Sequence, residues 1–397
     1  MPDVFGHDAI QTSDLPDVQR VLYSQELQFT TAGGVIYDQF AERKGDFVGN
    51  KGDTVTWTVW QTLPPSIKPL VEDQDVGGMS AVDFQVSLTI EEYGMAIGTT
   101  QKLDLTSWQG PISNLVRTML GPQMTLTTDL LARNALIDPR KATYRNFAGG
   151  VANRGAMTPS GSKLTPLVAK AAAYNLGIRR IPPTPEGYIA VVHPAQIYDL
   201  RDDPFWIDVN KYTRPETILN GEVGKLYGVR FIEANNARLP NAGTTRVQST
   251  LSGDGPANRD FVTVTSATGF AAGNEITIHR YATVPDGTDE TEEHLVIREV
   301  VGSRLYLRAK TTITHAAGDY VTDGVDVYPT VIMGAVRALG RGAVLEPEVR
   351  VALPTDKLRR QFHVGWYALM GYGIIRDWAV EVVETAATVS GAPAFPW

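Results

Sequence analysis

Two stretches of strict period-two alternation, Thr54–Gln61 and Asp83–Tyr93, constrain this chain more than any other feature. In the first, Val55, Trp57 and Val59 face one way and Thr54, Thr56 and Thr58 the other. In the second, Phe84, Val86, Leu88 and Ile90 oppose Gln85, Ser87, Thr89 and Glu91. Alternation in β-branched and aromatic residues predicts half-buried strands. The stretch between them holds Pro64, Pro65, Pro69, Gly77 and Gly78, so no regular element fits there. The pattern is a two-stranded ribbon with a broad tip, and such a ribbon is marginal alone in water. Something outside it must cover the apolar face. That makes Val55, Trp57, Val59, Trp60, Phe84 and Val86 candidate contacts with a second chain.

A length of 397 residues predicts two or three domains with ample apolar content for a core. Residues 1–48 read as an arm, with a helix expected within Asp14–Ala32 and helical turns at Val35–Ala41. Ile112–Ala135 is the strongest helical pattern, with Leu115, Met119, Leu126 and Leu130 on one stripe. Gly121-Pro122 predicts a kink or a break within it. Leu164-Thr165-Pro166 predicts a helix start, with Thr165 as N-cap and Pro166 at the first position. Gly187–His193 reads as a buried strand, and Pro194 opens a short helix to about Arg201. Phe362–Ile374 and the segment through Trp378, Val380 and Val382 read as two further strands.

Residues 244–323 differ in texture. Phe261–Thr265, Glu275–His279, Glu293–Arg298, Arg304–Arg308 and Tyr320-Val321 are short strand patterns separated by turn signals. Phe270-Ala-Ala-Gly-Asn274 and His315-Ala-Ala-Gly-Asp319 echo one another. Strands at this spacing predict a small barrel or sandwich. The segment reads as an inserted all-β domain.

The chemistry is thin. With no Cys, disulfides, thiolate metal sites and a Cys nucleophile are excluded. No phosphate-cradling loop, dinucleotide fingerprint, zinc-protease helix or nucleophile elbow is present, so no catalytic, cofactor-binding or metal residue is assigned. Gly340-Arg-Gly342 reads as a turn. The six His read as scattered surface residues, since their spacing matches no ligand set. Asp286–His294 reads as a solvated acidic loop and Asp202-Asp203 as a helix-end turn. The net charge of −8, with basic pairs only at Arg179-Arg180 and Arg359-Arg360, argues against nucleic-acid binding as the main task. No apolar run approaches the ~18 residues of a membrane span, and no signal peptide is evident, so a soluble product made in a cytoplasm is expected.

One long stretch carries a recognisable order. A helix ends at Asp202-Asp203-Pro204 and the aromatic pair Phe205-Trp206 follows. Asn220-Gly-Glu-Val-Gly224 comes next, then the short strand Tyr227–Glu233. A second block is Phe362-His-Val-Gly-Trp366 with Ile374-Ile-Arg-Asp-Trp378. With the order of parts between Gly45 and Asp129, this resembles the major capsid proteins of tailed bacteriophages, the family typified by coliphage N-four. The resemblance spans most of the chain but not Thr244–Asp323. It implies an α+β Hong Kong 97-type capsid fold. Its parts would be an N-terminal arm (1–48), an extended β-hairpin loop (49–96) and a peripheral domain with a spine helix (97–163 and 336–385). An axial domain (164–243 and 324–335), the inserted β-domain (244–323) and a C-terminal tail (386–397) complete it. It further implies pentamers and hexamers closing into an icosahedral head around double-stranded DNA, assembled in the host bacterial cytoplasm. The partners implied are other copies of itself, a separate scaffolding protein, a portal, a decoration protein and non-specifically held DNA, with no membrane. Two other readings stay open: a hydrolase on the α/β layer, and a β-rich protein whose insertion holds a carbohydrate or protein ligand.

Overall fold

The computed structural model describes residues 36–44, 54–60, 83–102, 112–138, 144–206, 224–280, 292–352 and 360–389, and parts of 63–82. The expected helix within Asp14–Ala32, the Asn220–Val223 motif and most of the acidic loop 286–294 lie outside them. The chain forms two units. The first comprises residues 1–32, 42–127 and 340–375, and the second residues 33–41, 128–339 and 376–397.

In the first unit, strands β1 (Glu42–Lys44), β2 (Thr54–Trp60), β3 (Asp83–Thr89) and β4 (Glu91–Thr100) come first in the chain. Helix α1 (Ile112–Ile137) begins here and continues into the second unit. It runs through Pro122 without ending, so the missing backbone donor is tolerated and no break occurs. Four strands form a sheet in the order β1-β16-β17-β4, where β16 is Leu339–Ala352 and β17 is Gln361–Ile374. In β17 the alternation of the sequence puts one face inside, buried at Val364, Trp366, Ala368 and Met370. The indole of Trp366 donates to the side chain of Gln123 in α1.

The second unit contains two further sheets. The first is mixed, in the order β5-β18-β15-β6-β8-β7. Its strands are β5 (Arg145–Phe147), β6 (Tyr188–Val192), β7 (Lys225–Leu226), β8 (Val229–Glu233), β15 (Tyr328–Met333) and β18 (Val380–Thr385). Helix α2 (Pro166–Ile178) lies against β18, β15 and β8 through Ala169, Ala172 and Leu176. Small residues on that face let the backbones approach. Its predicted cap holds: the Thr165 hydroxyl accepts from the Val168 amide at 3.4 Å. Helix α3 (Pro194–Arg201) starts where Pro194 predicted. Trp378 lies in a 3-10 turn, Asp377–Ala379, rather than in the strand expected there. Because β18 is an interior strand of this sheet, residues 376–385 group with the second unit and not with the 336–385 segment drawn from sequence.

Two buried carboxylates sit on β18. Glu384, 0 % exposed, is held by Arg154 Nε and Nη2, each at 2.7 Å, and by Arg145 Nε at 3.1 Å. Glu381 is held by Arg179, Asn146 and Asn175. Ion pairs replace apolar side chains at two of the six positions of a fully buried strand.

The third sheet, with β9 (Thr245–Thr250), β10 (Phe261–Thr263), β11 (Glu275–His279), β12 (Glu293–Val301), β13 (Arg304–Leu307) and β14 (Tyr320–Gly324), runs β10-β13-β12-β11-β14-β9. A bridge between Leu251 and Val264 joins its two edges, so the sheet closes into a barrel. Leu251, Val262, Ile276, Ile278, Ile297 and Leu305 are among the side chains filling it. The Phe270 and His315 motifs adopt the same turn, with Gly273 at φ 91° and Gly318 at φ 92°. Each turn feeds a strand, and the two strands, β11 and β14, pair. The sequence echo is therefore a repeated turn and not a repeated domain. The chain enters and leaves the barrel side by side. Gly243 donates to Val325 O at 2.7 Å, and the Asn241 side chain accepts from the Gly324 amide at 2.9 Å.

The His residues were expected at the surface, but His193, His279 and His315 are buried. Each ring has a hydrogen-bonded place: His279 on Thr322, and His315 on Glu293 at 2.9 Å. His193 caps α3, its Nδ1 accepting from the Ala195 amide at 3.1 Å while Gln196 accepts from the His193 amide. An accepting nitrogen cannot be protonated. Burial first, and then the nearby Arg238 guanidinium, lower its pKa from the usual 6.5 to about 4. Below pH 6.5 the unfolded chain binds this proton and the folded one does not, so stability rises with pH in that window. We expect about 3 kcal/mol to be lost as the pH falls from ~6.5 to ~4, given ~1.4 kcal/mol per unit. His193→Asn, which caps without titrating, should flatten that loss in urea melts at pH 4 and 7. An unchanged pH dependence would exclude His193 as its source.

Candidate assembly surface

The predicted ribbon forms as β2 and β3, in antiparallel register with Val55 opposite Leu88, Trp57 opposite Val86 and Val59 opposite Phe84. The single strand expected over Asp83–Tyr93 divides at Ile90. β3 pairs with β2, whereas β4 pairs with β17.

The structure corrects what covers the apolar face. Val55 (0 % exposed) and Trp57 (6 %) are buried within their own chain, against Leu88 and Ile375, and Val59 is buried as well. The reason is a lane of glycines on the neighbouring sheet. A Cβ on Gly342 would lie 2.7 Å from Val55 Cγ2, and one on Gly340 would lie 3.3 Å from the Trp57 ring. A Cβ on Gly373 would lie 2.1 Å from Leu88 Cδ2, and one on Gly371 would lie 2.1 Å from the Thr89 carbonyl oxygen. Gly340-Arg-Gly342 is thus not a turn but part of β16, with its Cβ positions vacated so the ribbon can seat. Lys44 of β1 fixes the same root, donating to Thr56 O at 2.5 Å with its ammonium 5.6 Å from the Trp57 ring centre. The signal was in the sequence: glycine at alternate positions of a strand, twice, marks close approach of another element.

The six predicted contact residues therefore separate. Val55, Trp57 and Val59 are interior; Val86 is half-buried; Trp60 (64 % exposed) and Phe84 remain outside. Beyond them Leu63, Ile67 (88 %), Met79 and Val82 are exposed in the segment joining the strands. Large apolar side chains are thus exposed together at this end of the ribbon. Glu72 and Asp75 are exposed in the same segment.

No other arrangement among the described residues suggests chemistry. No group of three or more His, Asp or Glu side chains there is placed to hold a metal ion. No described helix is long and apolar enough to cross a membrane.

No family model matches the sequence, and no curated protein matches it by sequence. Solved structures do. The capsid of Ralstonia phage GP4 contains a chain that superposes with a TM-score of 0.59 at 13 % identity, over 95 % of this chain and 97 % of that one. The capsid of cyanophage P-SCSP1u gives 0.57 at 13 % identity, over 95 % of both. Cyanophage Pam1 gives 0.55 at 11 % identity, over 98 % of this chain and the whole of the other. This chain has the fold of phage capsid chains. The mixed α+β architecture expected from sequence agrees with it, and the likeness runs nearly end to end.

Proposed function

We propose that this chain is the major capsid protein of a tailed bacteriophage, a structural protein and not an enzyme. On this reading its fold is of the Hong Kong 97 type, and copies gather into pentamers and hexamers that close as an icosahedral head around double-stranded DNA. The observation that carries the reading is the near full-length likeness to capsid chains at both ends of the comparison. The exposed apolar end of the ribbon supports it, because Trp60, Leu63, Ile67 and Met79 need a partner to leave water. The root of the ribbon is held by its own chain, so contact with a neighbour falls to this outer end. The barrel of residues 245–324 is the inserted domain of this reading. Its adjacent points of departure and return, and its own apolar core, suit an insertion.

A ligand-holding barrel is less well supported, since side chains fill the barrel interior. The net charge of −8 suits a shell that meets DNA through scattered basic residues. A scaffolding protein, a portal and a decoration protein belong to the same reading.

The purified protein, alone and co-expressed with the scaffolding protein of its own genome, tests it. Sedimentation and negative-stain microscopy should show closed shells or capsomer-sized rings. A species that stays at the 43.3 kDa of one chain under both conditions and across a hundredfold range of concentration would overturn the proposal.

A further inference from the structure

One loop of the second unit holds both the end of the arm and the root of the barrel. Residues 234–241 lie between β8 and β9, within that unit. On one side of the loop stands α1. Asp129, 1 % exposed, accepts from the Ile36 amide at 2.8 Å and the Tyr37 amide at 2.7 Å through Oδ1. Its Oδ2 accepts from the Asn236 side chain at 2.8 Å. One carboxylate thus divides its two oxygens between arm and loop. One turn further along α1, Arg133 donates to the carbonyl oxygens of Asn236 and Arg238 at 2.8 and 2.9 Å. The Tyr37 ring is fully buried, yet its hydroxyl has no hydrogen-bond partner among the described residues. A buried hydroxyl left unpaired costs stability, so this seat depends the more on its two amide bonds to Asp129.

On the other side of the loop stands the barrel. The buried Arg238 guanidinium donates to Asp326 at 3.0 Å and to both oxygens of Glu275, the first residue of β11. Asn241, 2 % exposed, donates from its side chain to the Glu275 carbonyl at 3.3 Å and to the Thr277 hydroxyl at 3.0 Å. Its φ of 56° lies in the left-handed region, which Asn enters more readily than most residues. A domain joined to its host only where the chain enters and leaves can turn about that pair of crossings. Glu275 and Thr277 lie far along the chain from both crossings, so the grip on β11 is a third point of attachment. Three points fix an orientation that two leave free. We infer that this loop couples the seat of the arm to the barrel. The barrel is then a fixed extension of the second unit rather than a hinged module, and loosening either end of the loop loosens the other. The bidentate pairing of Arg238 with Glu275 supplies the directional hold at the barrel end, and Asp129 supplies it at the arm. Coupling of this kind is reciprocal by linkage. The inference concerns the single chain and does not rest on the assembly reading.

The test is amide hydrogen exchange in the full chain. Glu275→Gln keeps the shape of the barrel root and removes the charge that Arg238 grips. It should speed exchange of the Ile36 and Tyr37 amides at least tenfold more than that of the Val331 and Val382 amides in the interior strands β15 and β18. Equal acceleration everywhere would mark a general loss of stability and overturns the inference. Asp129→Ala should act in the reverse direction, freeing the Gly243, Gly324 and Val325 amides at the barrel root by the same margin. Arg238→Lys keeps the charge but lacks the fork that spans two acids. It covers a Glu275→Gln protein that does not fold, and it should free the same two arm amides. Wild-type exchange at Ile36 and Tyr37 in either folded variant overturns the inference, and so do barrel-root amides that Asp129→Ala leaves unchanged.

Discussion

Glu384→Ala should destabilise the protein by about 3–5 kcal/mol, the cost of breaking a buried ion pair by removing one partner. Glu384 is wholly buried, and its two oxygens are shared between Arg154, at 2.7 Å twice, and Arg145, at 3.1 Å. Taking the carboxylate away leaves two guanidinium groups, themselves nearly buried, without the charge that offset their desolvation. Glu384→Gln should cost almost as much, because the shape survives and the charge does not. The diagnostic variant replaces all three, with Arg145→Met, Arg154→Met and Glu384→Leu. If the penalty of the single change comes from stranded charge, the triple variant should recover most of it, since apolar side chains of similar volume replace buried ion pairs at little or no cost. Urea midpoints measure all of these. A Glu384→Ala protein within ~0.5 kcal/mol of wild type, the range of an ordinary surface change, would mean that the ion cluster contributes nothing to this sheet.

Glu384 also marks a limit of reading the fold from sequence. Val-Glu-Val-Val-Glu-Thr looks like a strand with a wet side, yet all six residues are buried, because Arg145, Arg154 and Arg179 arrive from elsewhere in the chain to neutralise the acids. No local pattern announces partners 200 residues away. Tertiary packing likewise hid the grouping of residues 376–385 with the second unit, whereas the buried His residues bond to partners nearer in sequence, His193 to Ala195, His279 to Thr322 and His315 to Glu293. Local signals fared better. The alternation in β2 and β3, the Thr165-Pro166 start of α2 and five barrel strands each depend on neighbours in sequence, and each was legible. The sixth, Thr245–Thr250, was missed because Val247 is its one apolar residue and its ladder to β14 does the work of holding it. The candidate assembly surface was half legible. Alternation identified which side chains share a face, but what covers that face depended on glycines almost 300 residues away.

Those glycines give the second large effect. Gly342→Ala should destabilise the first unit by about 1–3 kcal/mol, the usual cost of overpacking. Its new methyl would fall 2.7 Å from Val55 Cγ2, and a β-branched side chain in a strand has no easy rotamer to retreat to. Val55→Ala alone should cost about 2–4 kcal/mol through the lost methyls and the cavity. Together the two changes should cost clearly less than their sum, because each relieves what the other creates. Gly371→Ala should be worse than either and should have no side-chain rescue. Its Cβ would meet the Thr89 carbonyl oxygen at 2.1 Å, and backbone cannot be trimmed. If the ribbon must sit on this lane to aim Trp60, Phe84 and Ile67 outward, Gly371→Ala should also abolish particles at temperatures where the rest of the chain stays folded. A Gly371→Ala protein that keeps wild-type stability and assembly, or additive costs for Gly342→Ala and Val55→Ala, would show that the ribbon is held by something other than this seat.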